Sequence, residues 1–237
     1  MNKLVRLQLR NVFHNKLFYV CLGLNLLMSP IMSFIGSLVV KTNPPKVFSE
    51  IITFISSEVG IISTIFIALF CCFDFNDGTT KNIIARGYTR LQLLFSKYIA
   101  CLVGLFVMYI ITALVIFVLF AKNGIGFESN MSYLLLNASI EIIAFTIFFA
   151  TMSFILEKNG SAIIACLIVP NIIPLLLGLI DAKMKTNISD FWLSSLSNKI
   201  IANPTLGTLG LSALYYLIYI VLFVIIGAHL LKRKEIK

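Results

Sequence analysis

The sequence is divided into six apolar blocks, each about twenty residues long or longer, separated by polar connectors. A helix of about twenty apolar residues spans the roughly 30 Å hydrocarbon core of a bilayer, whereas a helix on a soluble core keeps one polar face. The composition agrees, because 59% of the residues are hydrophobic and only 12% are charged. A soluble domain carries about 25% charged residues. The pattern therefore predicts an all-α, polytopic membrane protein.

The six blocks and the N-terminal segment form one predicted transmembrane domain over residues 1–237. The predicted spans cover about 17–40, 51–73, 98–120, 133–156, 161–180 and 211–231. Residues 1–16 read as an amphipathic helix with basic side chains on one half, a pattern that favours the membrane interface. The alternative is a plain cytosolic extension of the first span. Pro170 and Pro174 indicate a bent or broken fifth span.

Basic side chains are divided unequally between the two sides of the predicted membrane. Alternate connectors and the termini place thirteen of the nineteen Lys and Arg residues on one side and six on the other. The positive-inside rule therefore places both termini in the cytoplasm, in a multi-pass protein of the cell membrane. The net charge of +9 lies in short connectors. We expect it to contact lipid headgroups and not nucleic acid.

The connector between the second and third blocks contains signals for a short helix. Asp77 has the chemistry of an N-cap for a helix over about 78–85. Gly87 suits the left-handed position just after such a helix. Together these signals predict a short, rigid helix that projects from the cytoplasmic face. The alternative is a well-capped interfacial loop.

A second helix start follows at once. Thr89 and Gln92 have the spacing of a capping box, and Tyr88 and Leu93 have that of a hydrophobic staple. These signals predict that the third long helix begins near Arg90.

This connector resembles the first cytoplasmic loop of type-2 ABC exporter permeases. The run that carries the resemblance is Asp77-Gly78-Thr79-Thr80-Lys81-Asn82-Ile83-Ile84-Ala85-Arg86-Gly87-Tyr88-Thr89-Arg90, followed by Leu94-Phe95-Ser96-Lys97-Tyr98. In those permeases an acidic residue and Gly-Thr precede a short helix, and Arg-Gly-x-(Ser/Thr)-Arg and then a Lys follow it. The small six-span permeases linked to lantibiotic immunity and peptide export are similar in size and layout.

The resemblance implies a coupling helix that docks on a separate ATP-binding cassette subunit. The residues that it implies for docking are Asp77, Gly78, Thr79, Thr80, Lys81, Asn82, Ile83, Ile84, Ala85, Arg86 and Gly87. It also implies a second permease subunit, identical or related, and export of an amphipathic or hydrophobic peptide, lantibiotic or drug. ATP and Mg²⁺ would be bound by the partner, since this chain lacks the G-x-x-x-x-G-K-[ST] phosphate loop. We therefore expect no cofactor and no catalysis in this chain.

Two acidic residues, Glu58 and Glu141, lie inside apolar blocks. An ionised carboxylate at mid-membrane costs about 2.5–3.5 kcal/mol on insertion scales, so such residues normally face a cavity or a partner. One interpretation is that they line the route of a cationic substrate or bond across a subunit interface. The other is that each is protonated, or close to a boundary, and bonds a neighbouring helix.

The connector over 181–210 carries a further short helical pattern. Asp190 is placed as an N-cap, and an apolar stripe follows it. The stripe consists of Trp192, Leu193, Leu196 and Ile200. We expect a helix on the outer face with the tryptophan at the membrane interface; a surface loop is the alternative.

Two other function classes fit the sequence less well than a permease does. An intramembrane enzyme needs paired metal ligands or a nucleophile with a base, but the two histidines, His14 and His229, lie at opposite ends of the chain. A secondary transporter has internal repeats and broken helices around a midplane site. The prolines of the fifth block fit that class, but the missing repeat does not.

Overall fold

All six apolar blocks lie in helices in the computed structural model of this chain. The structure describes residues 1–40, 47–76, 78–122, 131–203 and 205–233. The helices are α1 (Asn2–His14), α2 (Lys16–Val40), α3 (Val47–Asn76), α4 (Thr79–Ala85), α5 (Arg90–Lys122), α6 (Met131–Leu156), α7 (Asn159–Met184), α8 (Leu193–Ala202) and α9 (Leu206–Arg233). A 3₁₀ turn, Ser189–Phe191, precedes α8. These ranges contain no strand, so the all-α prediction is confirmed.

Four of these helices are long and apolar enough to cross a membrane within the described ranges. The segments are Arg90–Val115, Ser132–Leu156, Asn159–Met184 and Leu206–Leu231. A fifth candidate arises if Ile61–Phe75 of α3 is joined to α4, which meets it at 59°. In α2 the side chains are described continuously only over Lys16–Met28, which is shorter than a membrane span. The six-span topology therefore stays a prediction.

The helices α7 and α9 expose broad apolar surfaces. Leu175 and Leu179 of α7 are each 69% exposed, and Leu217 and Ile225 of α9 are each 61% exposed. Contiguous apolar surface of this kind is rare on soluble monomers and marks contact with lipid or with another subunit. The core lies on the other side, where aromatic and aliphatic side chains of α2, α3, α5 and α6 pack together.

The two ends of the bundle are built differently. At one end, which we call the α4 end, Arg90 at the start of α5 donates a hydrogen bond to the carbonyl oxygen of Leu231 at the end of α9 (3.2 Å). Phe75 of α3 packs edge-on against Phe154 of α6 at the same end. At the other end, which we call the α8 end, the hydroxyl of Tyr216 in α9 donates to the carbonyl oxygen of Leu193 (3.1 Å).

The short helix predicted before the last span is present as α8, but its start differs from the prediction. Asp190 does not cap it: the carboxylate lies in the 3₁₀ turn, and Trp192 is the N-cap residue. The carboxylate of Asp190 instead forms an ion pair with Nζ of Lys199 in the last turn of α8 (3.0 Å). The predicted apolar stripe of α8 is buried in the bundle. Trp192 itself packs between Phe148 and Tyr219.

Helix α7 continues through Pro170 and Pro174 without a break. Each proline removes one backbone donor. The fifth apolar block is therefore not broken at the prolines, and a bend there stays a prediction.

Helix α1 runs along α5. Leu4 packs with Leu93, and the side chain of Val12 lies so close to Gly104 that a Cβ there would be 3.0 Å from it. The buried stripe of α1 is thus covered by protein. The basic side chains Lys3, Arg6 and Arg10 are exposed. The membrane-interface position of α1 stays a prediction.

Candidate functional site

Glycine conformations define both ends of α4. Gly78 has φ +66° and is the N-cap residue, so the helix begins at Thr79. Gly87 has φ +88°, and its backbone N–H donates to the carbonyl oxygen of Ile84 (2.9 Å). The left-handed glycine predicted after the helix is confirmed. The N-cap predicted at Asp77 lies outside the described residues.

The capping box at the start of α5 is confirmed. The backbone N–H of Thr89 donates to Oε1 of Gln92 (3.0 Å), and the backbone N–H of Gln92 donates to Oγ1 of Thr89 (3.3 Å). Tyr88 packs against the cluster that contains Ile83 and Leu93. The turn between α4 and α5 is therefore held by polar and apolar contacts together.

One face of α4 is attached to the end of α3. The hydroxyls of Thr79 and Thr80 both donate to the backbone carbonyl oxygen of Asp74, at 3.1 and 3.0 Å. Ile83, one turn further on, is buried against Leu4 of α1. These contacts fix α4 to the bundle along one side.

The side chain of Asp74 continues this attachment into α5. Its Oδ2 lies 2.7 Å from Nζ of Lys97, whose side chain is 1% exposed. Nζ of Lys97 also donates to the carbonyl oxygen of Phe70 (3.1 Å) and lies 3.8 Å from the centre of that ring. A buried cation with a carboxylate, a carbonyl and an aromatic face around it is well compensated.

Helix α1 supplies the last member of this network. Nε2 of Gln8, a fully buried residue, donates to Oδ2 of Asp74 (3.2 Å), while Oε1 of Gln8 has no hydrogen-bond partner among the described residues. We call the set of Gln8, Asp74, Thr79, Thr80 and Lys97 the α4 anchor. It joins α1, α3, α4 and α5 at one point.

The α4 anchor was not predicted as a unit from the sequence. In the sequence, Lys97 stands out only as part of the run that resembles the type-2 permeases. A usable signal exists, since Gln8 interrupts the apolar stripe of Leu4 and Val12 at helical spacing. A polar residue at such a position implies a buried polar partner.

The other face of α4 is exposed. Among the residues that the resemblance implied for docking, Lys81, Asn82, Ala85, Arg86 and Gly87 are exposed, Gly78, Thr79 and Ile84 are half-buried, and Thr80 and Ile83 are buried. We call Lys81, Asn82 and Ala85, together with the C-cap residue Arg86, the exposed face of α4. It presents two cations on a short helix whose opposite side is fixed.

A second candidate site is a cavity of about 330 Å³ between α3, α6, α7 and α8. Glu141 lies in its wall and is buried. The hydroxyl of Ser197 in α8 donates to Oε2 of Glu141 (2.7 Å), and the amide of Asn137 donates to the same hydroxyl (3.1 Å). The structure thus gives Glu141 both a cavity and a bond to a neighbouring helix. For Glu58 the structure describes the helical backbone of α3 but not the side chain.

Metal-binding chemistry is not assembled in the described ranges. They contain no group of three or more His, Cys, Asp or Glu side chains that could hold a metal ion. The five cysteines are free and buried. Two of them, Cys71 and Cys101, bring their sulfurs to 3.8 Å as part of helix packing.

Four helices of the described chain that are long and apolar enough to cross a membrane, together with the broad exposed apolar surfaces of α7 and α9, indicate a helical membrane protein. More narrowly, the chain belongs to the family DUF2705, described as a protein of unknown function, whose profile matches residues 17–237. Helix α1 precedes the matched residues. A comparison with curated proteins found no match.

Proposed function

We propose that this chain is the permease subunit of an ATP-binding cassette exporter of the cell membrane. It would move an amphipathic or hydrophobic substrate, such as a peptide, a lantibiotic or a drug, with ATP and Mg²⁺ bound by a separate subunit. The observation that carries the proposal is the combination of the exposed face of α4 with the α4 anchor behind it. The resemblance of residues 77–98 to type-2 permeases supplies the function class.

The α4 anchor has the mechanical property that coupling requires. A partner that pushes on Lys81 or Arg86 moves a helix whose other face is bonded to α3 and, through Asp74, to α5. Packed elements transmit displacement because protein interiors are close-packed. Movement at α4 would therefore tilt the cytoplasmic ends of two long helices together. The exposed cations suit an acidic groove on the partner.

The proposed topology has six spans with both termini in the cytoplasm. Thirteen of the nineteen Lys and Arg residues lie in the termini and connectors that this topology puts on the side of α1 and α4, and the positive-inside rule places that side in the cytoplasm. The α8 end would then face outward. A second permease subunit, identical or related, and membrane lipid would cover the exposed apolar surfaces of α7 and α9.

A secondary transporter without an ATPase partner is the other candidate. The cavity at Glu141, beside the proline-containing helix α7, favours it, because such transporters bind substrate between helices near the bilayer midplane. The two candidates differ in whether an ATP-binding subunit docks on α4.

Co-purification with an ATP-binding cassette subunit encoded beside this chain tests the proposal. We expect Arg86→Glu to abolish most of the co-purified ATPase, because it reverses a charge on the exposed face of α4. Lys183→Glu makes the same charge change on an exposed side chain near the α8 end and is the matched control. Equal recovery of the ATPase with wild type and Arg86→Glu, or the lack of any bound ATPase, would contradict the proposal.

A further inference from the structure

The cavity between α3, α6, α7 and α8 has the size and lining of a ligand site. Its volume of about 330 Å³ lies at the lower end of the roughly 300–1,000 Å³ typical of small-molecule sites. Part of its wall is apolar, where the rings of Phe145 and Phe149 stack at 5.5 Å between centroids. Another part is polar and brings together side chains from three other helices.

The charged chemistry in the described wall of this cavity is acidic. Glu141 is the acidic residue in the described lining, and none of the lining residues there is basic. Its Oε2 accepts a hydrogen bond from Ser197, and no described cation pairs with it. A buried carboxylate without a cationic partner is costly, so a cationic ligand would be strongly favoured there.

A second observation in the same wall also points to a ligand. The hydroxyl of Ser63, on a residue only 5% exposed, has no hydrogen-bond partner within the described ranges. On α7, the amide nitrogen of Asn171 donates to the carbonyl oxygen of Leu167 (2.7 Å), which leaves its oxygen as an acceptor. Both residues line the cavity. Buried hydroxyls almost always form a hydrogen bond, so the oxygen of Ser63 is available to accept one from a donor group of a bound molecule.

The geometry points to a binding site for a small amphipathic cation, with an ammonium group held by Glu141 and an apolar body against Phe145 and Phe149. The hydroxyl of Ser63 supplies a further hydrogen-bond acceptor. That this cation is a transported substrate rests on the proposed export function, whereas its binding in the cavity needs no ATPase. Failure of one idea therefore leaves the other standing.

Binding of 2-phenylethylammonium to the purified full chain tests this inference. The chain is placed in nanodiscs of zwitterionic lipid, which removes cation binding by anionic headgroups, and binding is measured by equilibrium dialysis. The neutral 2-phenylethanol has the same size and keeps a hydroxyl, so the comparison isolates the charge. We expect the wild type to bind the ammonium compound at least about tenfold more tightly than the alcohol.

Three variants locate the binding. Glu141→Gln is expected to raise the Kd of the ammonium compound about tenfold or more and to leave that of the alcohol unchanged, because it removes only the charge. Ser63→Leu, on another helix, fills the cavity and is expected to weaken both compounds. Glu157→Gln makes the same change just after the end of α6, outside the lining, and is expected to bind like wild type.

Two results of these binding measurements would contradict the inference. Equal binding of both compounds by wild type, or unchanged ammonium binding by Glu141→Gln, would overturn the inference. If Glu141→Gln does not fold, Ser63→Leu decides, and unaltered binding by that variant would count against this cavity. Fluorescence of Trp192, the single tryptophan and a buried one, reports whether each variant is folded.

Discussion

Nζ of Lys97 and Oδ2 of Asp74 are 2.7 Å apart, and the two side chains are 1% and 10% exposed. They stand on α5 and α3, on either side of the turn that contains α4. Charges removed from water in this way are stable only as a pair, because each alone would keep the full cost of desolvation. The pair therefore ties the two long helices together at the point where α4 is attached.

Removing one partner of this pair is expected to be strongly destabilising. Lys97→Met leaves Asp74 buried without its cation, and we expect a loss of about 3–5 kcal/mol in the free energy of unfolding. The double variant Lys97→Met/Asp74→Asn removes both charges while an amide remains to accept from Gln8. It is expected to recover a large part of that loss. Unfolding in SDS micelles, followed by the fluorescence of Trp192, measures the difference.

The exposed pair of Asp190 and Lys199 is the matched control. Its side chains are 48% and 47% exposed. Lys199→Met is therefore expected to cost only about 0–1 kcal/mol. Equal losses for Lys97→Met and Lys199→Met would show that burial of the first pair has no energetic weight.

Gly227 of α9 makes room for the hydroxyl of Tyr98. A Cβ at position 227 would lie 2.6 Å from that oxygen, which itself is bonded to Oγ1 of Thr151 (2.7 Å). Gly227→Ala is therefore expected to push the Tyr98 ring away and to cost about 1–3 kcal/mol in the free energy of unfolding. Adding Tyr98→Phe removes the clashing oxygen, so the double variant should be more stable than Gly227→Ala alone.

Gly178→Ala serves as the control for this pair, since a Cβ there meets nothing within 4 Å. It is expected to be neutral or slightly stabilising, because alanine has the higher helix propensity. A double variant no more stable than Gly227→Ala alone would mean that the clash is not with Tyr98.

Gly87 sets the direction in which the chain leaves α4. Its φ of +88° is disfavoured for residues with a Cβ. Gly87→Ala is expected to cost about 1–2 kcal/mol in the free energy of unfolding, and Gly87→Asn less, since asparagine tolerates left-handed backbone better. If the proposed function is right, both variants also lower the amount of co-purified ATPase.

Gly160→Ala is the control, because a Cβ there meets nothing within 4 Å. It should change neither the free energy of unfolding nor the amount of co-purified ATPase. An equal effect of Gly87→Ala and Gly160→Ala would contradict the role of the backbone angle.

Local chemistry explains why the turn between α4 and α5 was predictable. The capping box of Thr89 and Gln92 and the left-handed Gly87 depend on residues within a few positions of one another, so spacing alone defines them. The helical blocks were predictable for the same reason, because hydropathy is read over a continuous window.

Contacts between distant segments were not predictable from spacing. The bond from Gln8 to Asp74 joins residues that are 66 positions apart, and only packing of α1 on α5 brings them together. Asp190 illustrates the opposite error. Its position before α8 favoured a cap, but a charged partner, Lys199, lies within reach on the same helix and takes the carboxylate instead. The cap prediction failed because a 3₁₀ turn holds Asp190 and α8 begins only at Leu193, after Trp192.

The six-span topology makes a prediction that chemical labelling can decide. Arg86 on the exposed face of α4 and Lys183 near the α8 end are both exposed. An odd number of membrane crossings between them puts them on opposite sides, since the proposed spans over 98–120, 133–156 and 161–180 separate them. The positive-inside rule places Arg86 in the cytoplasm. The natural cysteines are suited to the experiment because all five are buried in the folded chain.

Single variants Arg86→Cys and Lys183→Cys are treated with a membrane-impermeant maleimide, in intact cells and in inverted vesicles. We expect Lys183→Cys to be labelled in intact cells and Arg86→Cys only in inverted vesicles. The chain without either substitution is the control and should remain unlabelled, because thiols inside the packed bundle are shielded from a bulky polar reagent. Labelling of both variants from the same side would exclude three crossings between them, and the reversed pattern would place the α4 end outside, where no ATP-binding subunit can reach it.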